Sequence, residues 1–172
     1  MLQLSNALLD KTILSLRTGG PIASVIGPVI NPDNLKVEGF YCQDKFDKKS
    51  QLILLSQDIR ENLPQGIVVN DHDVLADPED LVRLKKVLDL NYQLVGKHVE
   101  TVSKQKIGKV SDFAVETSSM YIQKVYVSQS IFKSFSGGSL SIDRNQIVET
   151  TPRKIVINDL EAGARATAPA II

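Results

Sequence analysis

Residues 64–71 read Pro64-Gln65-Gly66-Ile67-Val68-Val69-Asn70-Asp71, and residues 152–159 read Pro152-Arg153-Lys154-Ile155-Val156-Ile157-Asn158-Asp159. The second stretch begins 88 residues after the first. A proline, then β-branched apolar residues, then an Asn-Asp pair predicts a turn, a short strand and a second turn. Because such a unit occurs twice, the chain is predicted to contain two copies of one small β domain.

The repeat extends upstream of these anchor stretches. Three further pairs of segments match: 52–59 with 140–147 at a spacing of 88 residues, and 22–25 with 107–110 and 40–42 with 125–127 at a spacing of 85. A change of spacing confined to one segment is expected of a hairpin loop, because loops tolerate insertions that paired strands do not. This loop is placed at residues 43–50 in the first copy and 128–138 in the second.

Short strand-like runs joined by tight turns predict an all-β fold in which each copy curls into a small barrel and so removes its free edges. The predicted domains are a first barrel over residues 1–76, a connecting α-helix over 77–90, a second barrel over 91–160 and a flexible tail over 161–172. Copies of this size bury only a small core, which favours mutual packing or homodimerisation.

The connecting helix is predicted from its start signals and its apolar periodicity. Asp77 suits the N-cap and Pro78 the first helical position. Leu81, Leu84 and Leu88 form one apolar stripe. We expect this stripe to seal a barrel or a contact between barrels rather than to bind a foreign partner.

Composition excludes several functional classes. The chain has 20 basic and 20 acidic residues, so no net charge draws it to nucleic acid or anionic lipid. Its single cysteine, Cys42, cannot form an internal disulfide, which suits a reducing compartment. No apolar run is long enough for a membrane span, and the first residues do not resemble a signal peptide. We therefore expect a cytoplasmic protein.

Residues 94–102 and 106–115 read Leu-Val-Gly-Lys-His-Val-Glu-Thr-Val and Lys-Ile-Gly-Lys-Val-Ser-Asp-Phe-Ala-Val. This pattern, G-K-x-V, a short hairpin and then I/L-G-x-V-x-D, resembles the PRC-barrel family. Gly96 and Gly108 would let backbones approach or bulge at barrel corners. The first copy departs from the pattern. There Asp10, Ala23 and Gly27 stand in place of the two glycines and the aspartate.

The resemblance implies two tandem PRC-type barrels joined by a short α-helix. Better-understood members of the family are the cytoplasmic domain of the photosynthetic reaction centre H subunit and the carboxy-terminal domain of a small-ribosomal-subunit maturation factor, and both act through protein contacts. The family has no catalytic motif. We therefore expect a non-enzymatic adaptor without a cofactor that binds an unknown protein partner. The alternative is an RNA- or ribosome-associated maturation or assembly factor, and nucleic acid is the less favoured partner.

Two segments contain residue types that occur in metal or phosphate sites. Residues 70–73 read Asn-Asp-His-Asp and contain metal-ligand types, but an Asn-Asp turn is the favoured interpretation because Leu160 replaces His72 in the second copy. Residues 136–139 read Ser-Gly-Gly-Ser without the lysine and helix of a phosphate loop, so they are interpreted as a turn. No catalytic or metal-binding residue is predicted.

Two sets of residues are candidates for partner binding. Lys97, Lys104, Lys106 and Lys109 gather on the first hairpin of the second copy and could form a patch for an anionic partner. A solvated face is the favoured alternative, since no aromatic residue interleaves them.

The second set is aromatic. Phe132 and Phe135 fall in the predicted loop of the second copy, and Phe46 falls in the corresponding loop of the first. These phenylalanines either cover a barrel mouth, which is favoured, or dock on a partner.

Overall fold

A computed structural model describes residues 1–129 and 139–160 of the chain. The strands, numbered in chain order, are β1 Leu2–Leu4, β2 Thr12–Ser15, β3 Pro21–Asn31, β4 Lys36–Asp44, β5 Gln51–Leu55, β6 Ile59–Leu63, β7 Gly66–Val69, β8 His98–Thr101, β9 Lys106–Glu116, β10 Ile122–Gln129, β11 Ser139–Asp143, β12 Ile147–Thr150 and β13 Lys154–Ile157. The α-helix, α1, is Lys85–Leu90. Short 3-10 turns occupy Ser5–Ala7, Ser56–Asp58, His72–Val74, Pro78–Asp80, Val82–Leu84 and Arg144–Gln146. The protein is therefore mostly β, as the sequence predicted.

The chain divides into two compact units. The N-terminal unit contains residues 5–31 and 35–92, and the C-terminal unit contains residues 1–4, 32–34 and the described residues from Gln93 onward. The sheet of the N-terminal unit has the strand order β5-β4-β3-β2-β7-β6, and that of the C-terminal unit β11-β10-β9-β8-β13-β12. In both sheets one pair is parallel, β2 with β7 and β8 with β13. The anchor strands β7 and β13 thus occupy the same place in each sheet.

Both sheets carry the same irregularities. Each has four β-bulges at matching places, where one residue has no partner on the neighbouring strand. The matched bulge residues are Ile22 and Ile107, Ile26 and Ser111, Glu38 and Gln123, and Arg60 and Val148. A bulge bends its strand and increases the local twist, so both sheets curl in the same way.

Both sheets bury apolar residues, and in β5, β7 and β13 consecutive residues are buried. The largest fully buried side chains are Leu8, Ile13, Phe40, Ile53, Leu54 and Ile67 in the N-terminal unit, and Leu94, Phe113, Ile122, Ile142, Ile155 and Ile157 in the C-terminal unit. The β-branched residues of the anchor strands are buried in both units, because β7 and β13 each lie between two other strands. The anchor repeat is therefore part of the hydrophobic core.

The turn before β2 and the turn before β8 have the same backbone geometry despite a different residue. Asp10 has φ 58° and Gly96 has φ 90°. The amide of Asp10 donates to the carbonyl of Val25, and that of Gly96 to the carbonyl of Val110. Aspartate is one of the few non-glycine residues that adopt a positive φ readily, so Asp10 replaces the glycine without changing the turn.

The helix after the first copy is shorter than predicted. Asp77 does accept a hydrogen bond from the Glu79 amide at 2.9 Å, but the chain then forms two 3-10 turns. Leu81 between them has φ −90° and ψ 65°, which lies outside the helical region and prevents one continuous helix. The α-helix begins only at Lys85 and packs against β3. The residues of the predicted apolar stripe, Leu81, Leu84 and Leu88, are half-buried, and only Leu88 lies in the α-helix.

Residues 1–4 lie outside the sheet to which the sequence assigned them. β1 pairs with β9 in antiparallel orientation, with Leu2 opposite Glu116 and Leu4 opposite Ala114. The N-terminal ammonium of Met1 also forms an ion pair with Glu116. The first strand thus completes the sheet of the C-terminal unit.

None of the helices that the structure describes has the length and apolar character needed to cross a membrane.

Candidate functional site

A row of polar side chains crosses four neighbouring strands of the C-terminal unit. His98 on β8 pairs with Lys154 on β13 and with Lys109 on β9, and Lys109 pairs with Ser128 on β10. Directly paired residues share one face of a sheet, with Cβ atoms about 4.5–5.5 Å apart. One chain neighbour of each residue in the row is buried, and these neighbours are Val99, Val110, Val127 and Ile155. Because successive residues of a strand point to opposite faces, the row itself lies on the solvent side.

This row forms one side of a cavity of about 590 Å³. Lys106 and Arg153 also line the cavity, and Val99 and Ile107 add apolar surface. We call this site the basic pocket and define its basic side chains as those of His98, Lys106, Lys109, Arg153 and Lys154. Its volume falls within the range of about 300–1,000 Å³ that is usual for ligand sites.

Glu100 is the one acidic side chain among the described residues that line the basic pocket. Its carboxylate binds Lys154 Nζ at 2.5 Å and lies 3.7 Å from Lys104 Nζ. The hydrogen bond from Lys154, opposed by partial desolvation and helped by the charges of Lys154 and Lys104, holds the pKa of Glu100 below its usual value. Glu100 is therefore ionised at neutral pH and offsets the charge of Lys154.

The remaining lysines and the arginine of the basic pocket are not neutralised in this way. Within the described ranges 1–129 and 139–160, no carboxylate lies within ion-pair distance of Lys106, Lys109 or Arg153. Positive charges that share one cavity reinforce each other's field and raise the local concentration of anions. The pocket is thus an electropositive site on a chain with no net charge.

The N-terminal unit has neutral residues at the matching strand positions. Those residues are Thr12 for His98, Pro21 for Lys106, Ser24 for Lys109, Gln65 for Arg153, Gly66 for Lys154 and Leu14 for Glu100. A cavity of about 460 Å³ lies at the matching place, and Thr12, Pro21 and Ser24 line it. Its charged lining residues come from other positions, namely Asp44 at the end of β4 and Lys45 and Lys48 in the following loop. The same sheet therefore forms without these charges, which shows that the fold does not require them.

The predicted lysine patch only partly coincides with the basic pocket. Lys106 and Lys109 line the pocket, Lys104 lies in the turn after β8 and pairs with Glu100, and Lys97 precedes β8 outside the lining. Sequence reasoning missed three members of the pocket, which are His98, Arg153 and Lys154. The parallel pairing of β8 with β13 brings them together. The anchor repeat contained a sequence signal for two of them, because Arg153 and Lys154 of the second copy correspond to the neutral Gln65 and Gly66 of the first.

Phe46 has a polar neighbourhood in the N-terminal unit. Its side chain is 70% exposed, and the edge of its ring contacts the His72 ring with centroids 5.6 Å apart. His72 Nε2 lies 3.1 Å from the carboxylate of Asp44, which is buried. Burial opposes ionisation of Asp44, but the Phe46 amide and His72 outweigh it and lower the pKa of this carboxyl. Phe132 and Phe135 lie outside the described residues.

The Asn-Asp pairs at the ends of the anchor strands have a structural function. Asp71 accepts hydrogen bonds from Ser15 Oγ at 3.0 Å and from Arg17 Nη1 at 3.1 Å. Asp159 accepts the backbone amide of Ser103 at 3.2 Å. Each aspartate thus ties the end of its anchor strand to the turn after the parallel neighbour. Over the described part of the chain, no three residues of ligand type come close enough to hold a metal ion.

Cys42 is fully buried on β4. Burial raises the pKa of its thiol to about 12, although a backbone hydrogen bond from Leu54 acts in the opposite direction. The thiol is therefore protonated at neutral pH and is no nucleophile.

The comparisons with known proteins assign no family to this chain. No protein-family model matches the sequence, and no curated protein is significantly similar to it. A functional assignment therefore depends on the geometry of the basic pocket.

Proposed function

We propose that the chain is a non-enzymatic protein-interaction module of the PRC-barrel type, and that its basic pocket binds an acidic segment of a partner protein. The observation that carries this proposal is the difference between the two copies. Cationic side chains occupy strand positions of the C-terminal unit that the N-terminal unit fills with neutral residues. Since the fold forms either way, a binding function accounts for charges that folding does not need.

The surroundings of the charges suit an acidic peptide. Carboxylates of the partner would pair with Lys106, Lys109 and Arg153, while the aliphatic stems of these three side chains would contact the aliphatic parts of the partner's side chains. Such charge complementarity accelerates association with the partner and disfavours proteins whose binding segment is positively charged. Because the site is open to solvent, the interaction is expected to weaken as salt rises.

Single-stranded nucleic acid is the second candidate, and it fits the pocket less well. Proteins that bind single strands usually stack bases on aromatic side chains, which contributes about 1–3 kcal/mol per base. No aromatic side chain is among the described residues that line the basic pocket. The pocket offers charge without a stacking surface, which favours an acidic protein segment.

The barrel architecture and the compartment complete the proposal. The shared bulges and the glycine corner at Gly96 support closure of each curled sheet into a PRC-type barrel. The buried, unpaired thiol of Cys42 supports a cytoplasmic location, where disulfides are rare.

Removing the unpaired charges should weaken binding of an acidic probe. A fluorescein-labelled peptide of ten aspartates is titrated with the wild-type chain and with the Lys106→Gln, Lys109→Gln, Arg153→Gln triple variant, and binding is followed by fluorescence anisotropy. We expect the triple variant to bind roughly tenfold more weakly at low salt, because each exposed ion pair contributes up to about 1 kcal/mol. Raising the salt concentration should reduce this difference.

The matched control is the Lys49→Gln, Arg83→Gln, Lys86→Gln variant, which removes two lysines and one arginine from exposed residues of the N-terminal unit that do not line its matching cavity. It should retain wild-type affinity. Equal loss in both triple variants would show that the peptide responds to overall charge and would contradict the proposal. A ten-nucleotide uridine RNA serves as the second probe. Tighter binding of this RNA, lost in the pocket variant, would favour the nucleic-acid alternative.

A further inference from the structure

We infer that protonation of His98 is coupled to occupancy of the basic pocket, so that an acidic partner binds more tightly as the pH falls from 8 to 6. This inference rests on the function proposed above and adds a form of regulation to the same site. Histidine is the side chain whose charge changes most readily in this pH range.

His98 occupies the centre of the charged row. Its direct neighbours on the same face are Lys109 on β9 and Lys154 on β13. Glu100 stands two residues along β8 and therefore faces the same side. Lys106 on β9 and Arg153 before β13 line the same cavity. His98 itself is exposed to solvent.

The charged groups around His98 are the lysines and Arg153 of the basic pocket and the carboxylate of Glu100. Glu100 is already engaged by Lys154 and Lys104, so much of its field is offset. An acidic segment bound in the pocket neutralises the surrounding cations and adds negative charge beside the imidazole. The occupied pocket therefore favours the imidazolium.

The sign of the pH effect follows from linkage. If the occupied pocket holds more protons than the empty one, binding takes up protons and the affinity rises as the pH falls. The increase in affinity is limited to the contribution of one additional exposed ion pair. We expect binding at pH 6 to be roughly two- to fivefold tighter than at pH 8.

The test is titration calorimetry with an N-acetylated peptide of ten aspartates at pH 6, 7 and 8. Aspartate side chains titrate at about pH 3.9, and acetylation removes the terminal amine that would titrate at about pH 8, so the probe keeps its charge over this range. Each titration is repeated in two buffers of different ionisation enthalpy, since the difference in heat measures the protons taken up. The wild-type chain should take up a fraction of a proton per peptide. The His98→Gln variant should bind with neither proton uptake nor dependence on pH.

The control is His72→Gln, which changes the other histidine of the chain. His72 lies in the N-terminal unit beside Asp44, so this variant should behave as the wild type. Binding without proton uptake, or a pH effect that persists in His98→Gln, would overturn the coupling and leave the proposed function standing. A lack of binding at every pH would overturn both.

Discussion

Replacement of Gly108 by alanine is expected to lower the free energy of unfolding by about 2–4 kcal/mol. Gly108 lies on β9 opposite Gln129 of β10. A Cβ atom at this position would lie 2.0 Å from the carbonyl oxygen of Ser128 and 2.9 Å from its carbonyl carbon. Both atoms belong to the backbone, so no side chain can rotate away and the two strands must separate. Urea unfolding followed by circular dichroism measures the loss.

The control for Gly108→Ala is Gly96→Asn. Gly96 has a positive φ of 90°, but nothing lies within 4 Å of an added Cβ, and Asp10 occupies the matching position in the N-terminal unit. This substitution should therefore cost less than about 1 kcal/mol. A similar loss in both variants would attribute the effect to backbone conformation rather than to the approach of the strands. The comparison of the copies alone is misleading here, since Ala23 stands in place of Gly108 in the first copy.

Truncation of Ile155 to alanine should destabilise the C-terminal unit by about 3 kcal/mol. Ile155 is 1% exposed and lies on β13, between β8 and β12, so the surrounding core cannot close over the missing atoms. Ile67 holds the matching position in the N-terminal unit and is equally buried, so Ile67→Ala should have a similar cost. Urea denaturation of the two variants gives both values.

Val148→Ala is the matched control, because Val148 lies on the neighbouring strand β12 and is 55% exposed. It should change the free energy of unfolding by no more than about 0.5 kcal/mol. A cost for Val148→Ala as large as that for Ile155→Ala would mean that strand propensity, and not burial, makes the anchor residues important.

Local sequence patterns predicted the strands well and the connecting helix poorly. Alternation and turn residues act over a few positions, so they identify β-strands and their order along the chain. Helix signals at Asp77 and Pro78 are equally local, yet the conformation of Leu81 interrupts the helix that they predicted. Packing against the sheet decides such a short segment, because a helix of this length has little stability of its own.

The basic pocket was also only partly predictable from residues that are close together in the sequence. Lys106 and Lys109 are close in sequence, and their grouping was visible without a structure. Arg153 and Lys154 join them only because β13 lies beside β8, more than fifty residues away along the chain. A parallel pair leaves no hairpin signal, since its strands are joined by a long connection rather than by a turn.

Local sequence patterns indicated that the protein is built from β-strands and that one strand pattern, ending in Ile-Val-Val or Ile-Val-Ile, occurs twice. These properties follow from side-chain shape and polarity acting between near neighbours. The three-dimensional fold was needed to show that the anchor runs are buried, that residues 1–4 pair with the sheet of the C-terminal unit and that five basic side chains converge on one pocket. Contacts between distant residues depend on how strands are ordered in a sheet, and that order is set by burial of the whole core.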